Sequence, residues 1–197
     1  MRAVLLSGGM DSIALTYWKR PEIAITINYG QVCAPAELDA ASVVAASLKC
    51  RHEIIQVDCS SLGSGDLAAK TVHPLGATHE WWPYRNQLLI TLAAMRGIEI
   101  GVTELLIASV KSDGDYGDGT LEFVERIDGL MAFQEGALHV SAPAIAMTTT
   151  ELARQSRIPF ELLAWAHSCH CSNLACGNCR GCFKHQIAME TLGYGYY

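Results

Sequence analysis

Ser7-Gly8-Gly9-Met10-Asp11-Ser12 and the cysteines Cys169, Cys171, Cys176, Cys179 and Cys182 are the residues of this chain whose types and spacing can do chemistry. The first stretch follows the apolar run Ala3–Leu6 and precedes Ile13, Ala14 and Tyr17 at helical spacing. It therefore reads as a turn from a buried strand into a helix. A helix N-terminus offers unpaired N–H groups and the positive end of a dipole, and both attract phosphate. Gly8 and Gly9 let the backbone approach an anion with no side chain between them. Ser7 and Ser12 can donate hydroxyls, and Asp11 can hold Mg²⁺ or cap the helix. A plain strand-to-helix turn is the competing structural reading.

Cys176-X-X-Cys179-X-X-Cys182, with Cys169 upstream, supplies four thiolates. Zinc takes such a set tetrahedrally at about 2.3 Å, and a site closed by four sulfurs is structural. Clustered cysteines without a secretory leader read as a metal site sooner than as disulfides. Cys171 could replace Cys169, and an iron–sulfur cluster is the competing occupant. His170 and His185 are further candidate ligands. Cys33, Cys50 and Cys59 read as small apolar residues.

These two stretches need a frame to hold them. Strands are expected at Ala3–Leu6, Ile23–Ile27, His52–Val57, Leu105–Ala108 and Val140–Ile145. Helices are expected at Asp11–Trp18, Ala36–Leu48, Arg85–Arg96, Leu121–Phe133, Thr150–Gln155 and Lys184–Leu192. Their expected inward faces are Leu38, Val43 and Leu48; Leu88, Leu89, Leu92 and Met95; and Phe123, Ile127 and Leu130. Alternation of strand and helix predicts an α/β fold, a doubly wound parallel sheet with right-handed crossovers. Asp58–Pro83 lacks periodicity and is long for a loop, which marks it as functional or mobile. Trp81 and Trp82 within it read as packing residues rather than as a base-stacking pair. Ser112–Gly119 reads as a polar loop carrying Asp113, Asp115 and Asp118. The organisation read from the chain is an α/β domain over residues 1–158 and a small metal-held lobe over 159–197.

The 197 residues are 50% hydrophobic and 17% charged, with a formal charge of −6. That composition excludes a disordered chain. The acidic balance argues against a nucleic-acid binder, so none is expected as partner. No apolar run reaches the ~18 residues of a membrane span, and glycines arrive too early for a signal peptide. A cytoplasmic protein with no membrane association is expected.

Ser-Gly-Gly-X-Asp-Ser after the first strand resembles the loop of the N-type ATP pyrophosphatases, which cleave ATP between its α and β phosphates and activate an oxygen as an adenylate. Ser168-Cys169 followed by Cys176-Gly177-X-Cys179-X-X-Cys182 resembles the C-terminus of the 7-cyano-7-deazaguanine synthase family. Asn28-Tyr29-Gly30-Gln31, Glu37-Leu38 and Pro83-Tyr84-Arg85-Asn86 are similar to stretches of the same family, so the resemblance runs from Ala3 to Gly193. It implies a Rossmann-like sheet of the HUP type with a C-terminal zinc lobe. It implies ATP, Mg²⁺ and Zn²⁺, with Cys169, Cys176, Cys179 and Cys182 as the metal set.

The implied reaction is adenylation of the carboxylate of 7-carboxy-7-deazaguanine, followed by attack of an amine. Ammonia would give 7-cyano-7-deazaguanine. The implied nucleotide-binding residues are Ser7, Gly8, Gly9, Met10, Asp11, Ser12, Tyr29, Gln31 and Asn86. Asp11, Ser12, Arg85 and Lys111 are the catalytic expectation, the last two as sources of positive charge. A deazaguanine offers an N–H edge that Asp113, Asp115, Asp118 or Glu122 could read. The sequence departs from the family at Val32 and Cys33, in place of Arg-His. It departs also in the short loop Asp113–Gly119, and at Thr149, which stands in place of a lysine. Divergent relatives of this kind in antiphage defence are thought to use other amine acceptors, so a protein amine is the alternative acceptor. A tRNA-directed adenylating enzyme and a catalytically dead ATP-binding protein are the competing classes. A homodimer is one expected assembly.

Overall fold

The computed structural model describes residues 1–76 and 78–195. Five parallel strands, β1 (Arg2–Leu5), β2 (Ile23–Asn28), β3 (Arg51–Gln56), β4 (Glu104–Leu106) and β5 (His139–Ser141), form one sheet in the order β3-β2-β1-β4-β5. Among the described residues seven α-helices accompany them: α1 (Met10–Lys19), α2 (Ala34–Ser47), α3 (Arg85–Glu99), α4 (Leu121–Phe133), α5 (Thr149–Ser156), α6 (Phe160–Leu163) and α7 (Arg180–Leu192). This is the doubly wound, Rossmann-like α/β fold that the strand–helix alternation predicts. The chain works outward through β2 and β3, then returns past β1 to β4. The switch between β1 and β4 opens a crevice at the carboxyl ends of the strands, where such sheets bind ligands.

Alternation along β1 shows how both faces are covered. Ala3 points into a core shared with Ile23, Ile25 and Ile27 of β2, with Ile90, Ala93 and Ala94 of α3, and with Val124, Ile127 and Met131 of α4. Val4 and Leu6 point the other way, into a core with Ile13 and Leu15 of α1, Ala41, Val44 and Ala45 of α2, and Ala188 and Met189 of α7. A sheet buried on both faces needs such near-continuous apolar strands. Truncating a fully buried Leu6 or Ile13 to alanine in a core of this kind costs about 2–5 kcal/mol. Leu162, Leu163, Ala188 and Met189 join the second core, so the stretch after residue 158 is continuous with it.

Local chemistry sets the helix starts. Thr120 caps α4 by accepting from the Phe123 N–H at 3.2 Å. Thr148 forms a reciprocal box with Glu151 at the start of α5. Cys179 caps α7 through its sulfur, so this helix begins at Arg180, one turn earlier than its apolar pattern suggests. Trp82 is buried and meets Tyr29 edge-on, with ring centroids 5.0 Å apart. It anchors the long loop 58–83 onto the core, as its expected packing role requires. Two short 3₁₀ turns, Ser60–Leu62 and Asp66–Ala68, break up that loop. Among the described residues no helix is long and apolar enough to cross a membrane.

The expected inward residues Ile127, Leu48, Leu88, Leu89, Leu92 and Phe123 do reach the cores, but the centre of each buried face is rotated by about one residue. α2 buries Ala40, Ala41, Val44 and Ala45; α3 buries Ile90, Ala93, Ala94 and Gly97; α4 buries Val124, Ile127 and Met131. Met95 and Leu130 are exposed. Small residues let the α2 and α3 backbones approach the sheet, and the larger apolar side chains flank the contact instead.

Candidate functional site

A cleft of about 810 Å³ lies at the carboxyl ends of the strands, lined by Ser7, Gly9, Met10, Asp11 and Ser12 from the β1–α1 turn. The turn is held by its own hydroxyls. Ser7 Oγ accepts from the Gly9 N–H at 3.3 Å and meets Ser12 Oγ at 3.1 Å, and Ser12 Oγ donates to the Gly9 carbonyl at 2.9 Å. The two glycines do different work. Gly8 has φ +81, and a Cβ there would stand 2.5 Å from the Glu37 carbonyl. Gly8 is therefore required by packing against α2, behind the cleft wall. Gly9 has an ordinary φ of −80 and faces the cleft.

Asp11 stands in the first turn of α1. Its Oδ2 accepts from Lys184 Nζ at 2.9 Å, whereas its Oδ1 is buried without a hydrogen-bond partner. Thr149 Oγ1, at the start of α5, is close by and equally unpartnered. Burial raises the Asp11 pKa, against the opposing charge of Lys184. Burial alone would lower that of Lys184, but the carboxylates of Asp11 and Asp113 outweigh it and hold the ammonium charged. Lys184 Nζ also reaches Asp113 Oδ1 at 3.3 Å, so one lysine spans the cleft between two walls.

A second group of polar residues gathers around Tyr29. Gln31 Oε1 accepts from the Tyr29 N–H at 2.8 Å, and its amide donates to Ile27 O at 3.2 Å and to Glu37 Oε2 at 2.8 Å. Gln31 thus stands behind the wall and orients Glu37, which lines the cleft with Tyr29, Arg85 and Asn86. Burial raises the Glu37 pKa; Gln31, Cys33 and Arg85 oppose it. Arg85 opens α3 and remains cationic despite burial because Tyr29, Asp118 and Glu37 face it. Cys33 is fully buried and donates to Glu37, and burial pushes its thiol pKa up, which makes it inert.

Several expected residues lie elsewhere. Lys111 is exposed, acts on Glu151 and does not line the cleft. Asp115 points outward and pairs with Arg180 at 3.1 Å. Glu122 lies on the exposed face of α4, paired with Arg126. None of the three lines the cleft, whereas Asp113 and Asp118 do. Lys184, Glu80 and Arg180 line it without having been expected there. Arg180 donates to Tyr116 Oη at 2.5 Å and pairs with Glu80 at 3.3 Å, and Tyr116 Oη donates to Glu80 at 2.6 Å. This network ties the start of α7 to the loops that roof the cleft.

Cys169, Cys176, Cys179 and Cys182 place their sulfurs within 4.8 Å of one another, a set that could hold a metal ion. Cys171 is exposed and lies outside it. Backbone N–H groups point at the sulfurs: Asn178 at Cys176 (3.5 Å), Cys182 and His170 at Cys179 (both 3.4 Å). Those of Asn178 and Cys179 lower the Cys176 pKa to about 6, favouring the thiolate that a metal requires. His167, just before the cluster, donates its N–H to the Gly8 carbonyl at 2.9 Å. The cysteine cluster and the β1–α1 turn are therefore neighbours.

The family model of the queuosine biosynthesis protein QueC matches residues 2–193. The chain belongs to the QueC family. Curated relatives carry the name 7-cyano-7-deazaguanine synthase. That of Methanococcus maripaludis strain C7 is 25% identical, with 98% of this chain and 96% of the relative aligned. That of Pyrococcus horikoshii is 28% identical over 96% and 93%. The synthase 1 of Desulfitobacterium hafniense is 28% identical over 95% and 90%. The first alignment runs over 225 residues, longer than this chain of 197, so the relative carries segments that this QueC family member lacks. Among solved structures, the U34-tRNA thiolase NcsA from Methanococcus maripaludis with its [4Fe-4S] cluster shares the fold at TM-score 0.54 and 16% identity, covering 98% of this chain and 64% of its own. NMN synthetase from Francisella tularensis does so at TM-score 0.50 and 13% identity, covering 100% and 78%.

Proposed function

We propose that this QueC family member uses Mg²⁺-ATP to adenylate the carboxylate of 7-carboxy-7-deazaguanine and joins it to an amine. The observation that carries the reading is the β1–α1 turn, which faces a cleft of about 810 Å³ at the sheet's switch point and bears a buried Asp11 oxygen with no partner. An unpaired buried carboxylate oxygen is costly unless something completes it. The donor fits Mg²⁺, which takes oxygen ligands and pairs with phosphates, and when bound would neutralise charge on the nucleotide.

The substrate carboxylate is a poor acyl donor because its leaving group would be oxide. Its oxygen attacks the α-phosphorus of ATP, the α–β bridging bond breaks, and pyrophosphate leaves. The amine nitrogen then attacks the acyl carbon, AMP leaves, and the nitrogen sheds a proton. Such chemistry needs positioning and charge stabilisation, without a side-chain nucleophile. Gly9 and the first amides of α1 face the phosphates, and Arg85 supplies fixed positive charge next to Tyr29 and Glu37. Of the acids expected to read a deazaguanine N–H edge, Asp118 and Asp113 line the cleft, Asp113 with Lys184 on one of its oxygens. With ammonia as amine, the amide oxygen attacks a second ATP with release of pyrophosphate, and departure of AMP with loss of two protons yields the nitrile. No nucleic acid takes part in this reading.

Zinc is the proposed occupant of the thiolates. Sulfur separations of 4.0 Å for Cys169–Cys179 and 3.9 Å for Cys176–Cys182 suit one tetrahedral ion with ~2.3 Å bonds. A four-iron cluster would spread its thiolates over different irons and hold them farther apart. A closed four-sulfur set leaves no open position, so the metal's role is to fix the start of α7.

The test is pyrophosphate release from ATP with 7-carboxy-7-deazaguanine and ammonium, with the product mass recorded. Release that depends on the acid, and that is lost in Asp11→Ala, is the expected result. Release independent of the acid, or none, refutes the reading.

A further inference from the structure

We propose that Lys184, carried across the cleft on the helix that the cysteine cluster caps, is the cation that grips the pyrophosphate end of the nucleotide. This rests on the ATP-using reading above and identifies which charge completes its phosphate site. Among the described residues three Lys or Arg side chains line the cleft: Arg85, Arg180 and Lys184. Arg85 faces Tyr29, Asp118 and Glu37, and Arg180 is held by Glu80, Asp115 and Tyr116. Of the three, Lys184 is the one in contact with the β1–α1 turn, through Asp11 at 2.9 Å. Thr149, which faces Asp11 from α5, carries no charge.

The turn alone offers partial charge. A helix N-terminus contributes about half an elementary charge, far less than a triphosphate carries. A full cation beside it is therefore needed, as a lysine commonly provides at phosphate sites. An ammonium has three donors. Two are engaged by Asp11 and Asp113, which leaves the third for a ligand oxygen in the cleft. The four-carbon stem lets the head turn from the carboxylates toward phosphate without moving the backbone. Its backbone is well fixed. Lys184 lies two residues after Cys182, in the first turns of α7, whose cap is Cys179. The cysteine cluster thereby sets where this charge sits, and metal binding and phosphate binding are coupled through one helix.

The test is calorimetry with Mg²⁺ present, titrating AMP and α,β-methylene-ATP into the metal-loaded wild type, Lys184→Gln and Lys184→Arg. Loss of one charge-assisted contact weakens binding by about 10- to 100-fold. Lys184→Gln should lose that much affinity for α,β-methylene-ATP and keep that for AMP, with Lys184→Arg recovering part of it. Equal loss for both ligands would make Lys184 a structural residue and overturn the proposal. Unchanged affinity of Lys184→Gln for the analogue, while the wild type binds it, overturns this proposal alone. A wild type that binds neither nucleotide removes the ATP reading as well.

Discussion

Gly8→Ala separates the two glycines of the β1–α1 turn and tests how the turn is built. An alanine at φ +81 bears the left-handed penalty, about 1 kcal/mol at the low end of the range. Its Cβ would also stand 2.5 Å from the Glu37 carbonyl, 3.1 Å from Glu37 Cα and 3.2 Å from Ala40 Cβ. Two of these are backbone atoms of α2, so the clash is relieved only by moving a helix; overpacking of this kind costs about 1–3 kcal/mol. The sum, roughly 2–4 kcal/mol, lowers Tm by roughly 4–16 °C for a chain of this size. Gly9→Ala is the control. Its φ is −80 and its Cβ would meet nothing closer than 3.5 Å, so its stability should match wild type within about 0.5 kcal/mol. Because Gly9 faces the cleft, its alanine should instead weaken α,β-methylene-ATP binding. Thermal unfolding followed by circular dichroism, paired with calorimetry, reads both effects. A Gly8→Ala protein as stable as wild type, or a Gly9→Ala protein equally destabilised, would refute the division of labour between packing and ligand approach.

Thr148→Ala removes the capping box of α5 and should cost about 1 kcal/mol, seen as a fall of roughly 2–4 °C in Tm. Cys176→Ser should lower the metal content measured by elemental analysis and loosen α7, read as faster amide exchange at Ala188 and Met189, whereas Cys171→Ser should leave both unchanged. His52 in β3 donates to Thr26 Oγ1 at 2.8 Å, and burial lowers its pKa below the ordinary 6.5. The unfolded chain therefore binds the proton more readily, so this contribution is present above pH 6.5 and is lost as pH falls through it toward the folded value. On going from pH 7.5 down to 5, urea midpoints should fall less steeply in His52→Gln than in wild type.

The succession of strands and helices along the chain and the β1–α1 turn are legible in the sequence because both rest on local signals. Apolar runs, glycine punctuation and a helical repeat all act within about a dozen residues. Helix facing is less legible, and α3 shows the reason. Counting large apolar residues selects Leu88, Leu89, Leu92 and Met95; the three leucines do pack against the core, but Met95 is exposed and the most deeply buried positions are Ile90, Ala93, Ala94 and Gly97. Close packing on a parallel sheet rewards small residues at the line of contact, which a count of hydrophobic bulk cannot register. The acidic loop fails differently. Asp113, Asp115 and Asp118 are neighbours in sequence, but Asp115 turns outward to Arg180 while the other two line the cleft.

Lys184 is the most instructive omission. The sequence offers Arg85 or Lys111 as the positive charge that stands in where Thr149 replaces a lysine. Lys184 lies 173 residues from the carboxylate it meets, and nothing periodic connects them. A signal was nonetheless present. Thiolates that share one metal have fixed mutual positions, and a helix capped by one of them inherits that frame. Any residue in its first turns is then as well placed as the metal itself. A lysine two residues after the last cysteine is a charge on a rigid arm. The remaining question, which way the arm points, is answered by the Gly8 carbonyl: it accepts the His167 N–H and brings the cysteine cluster to the loop where phosphate would sit.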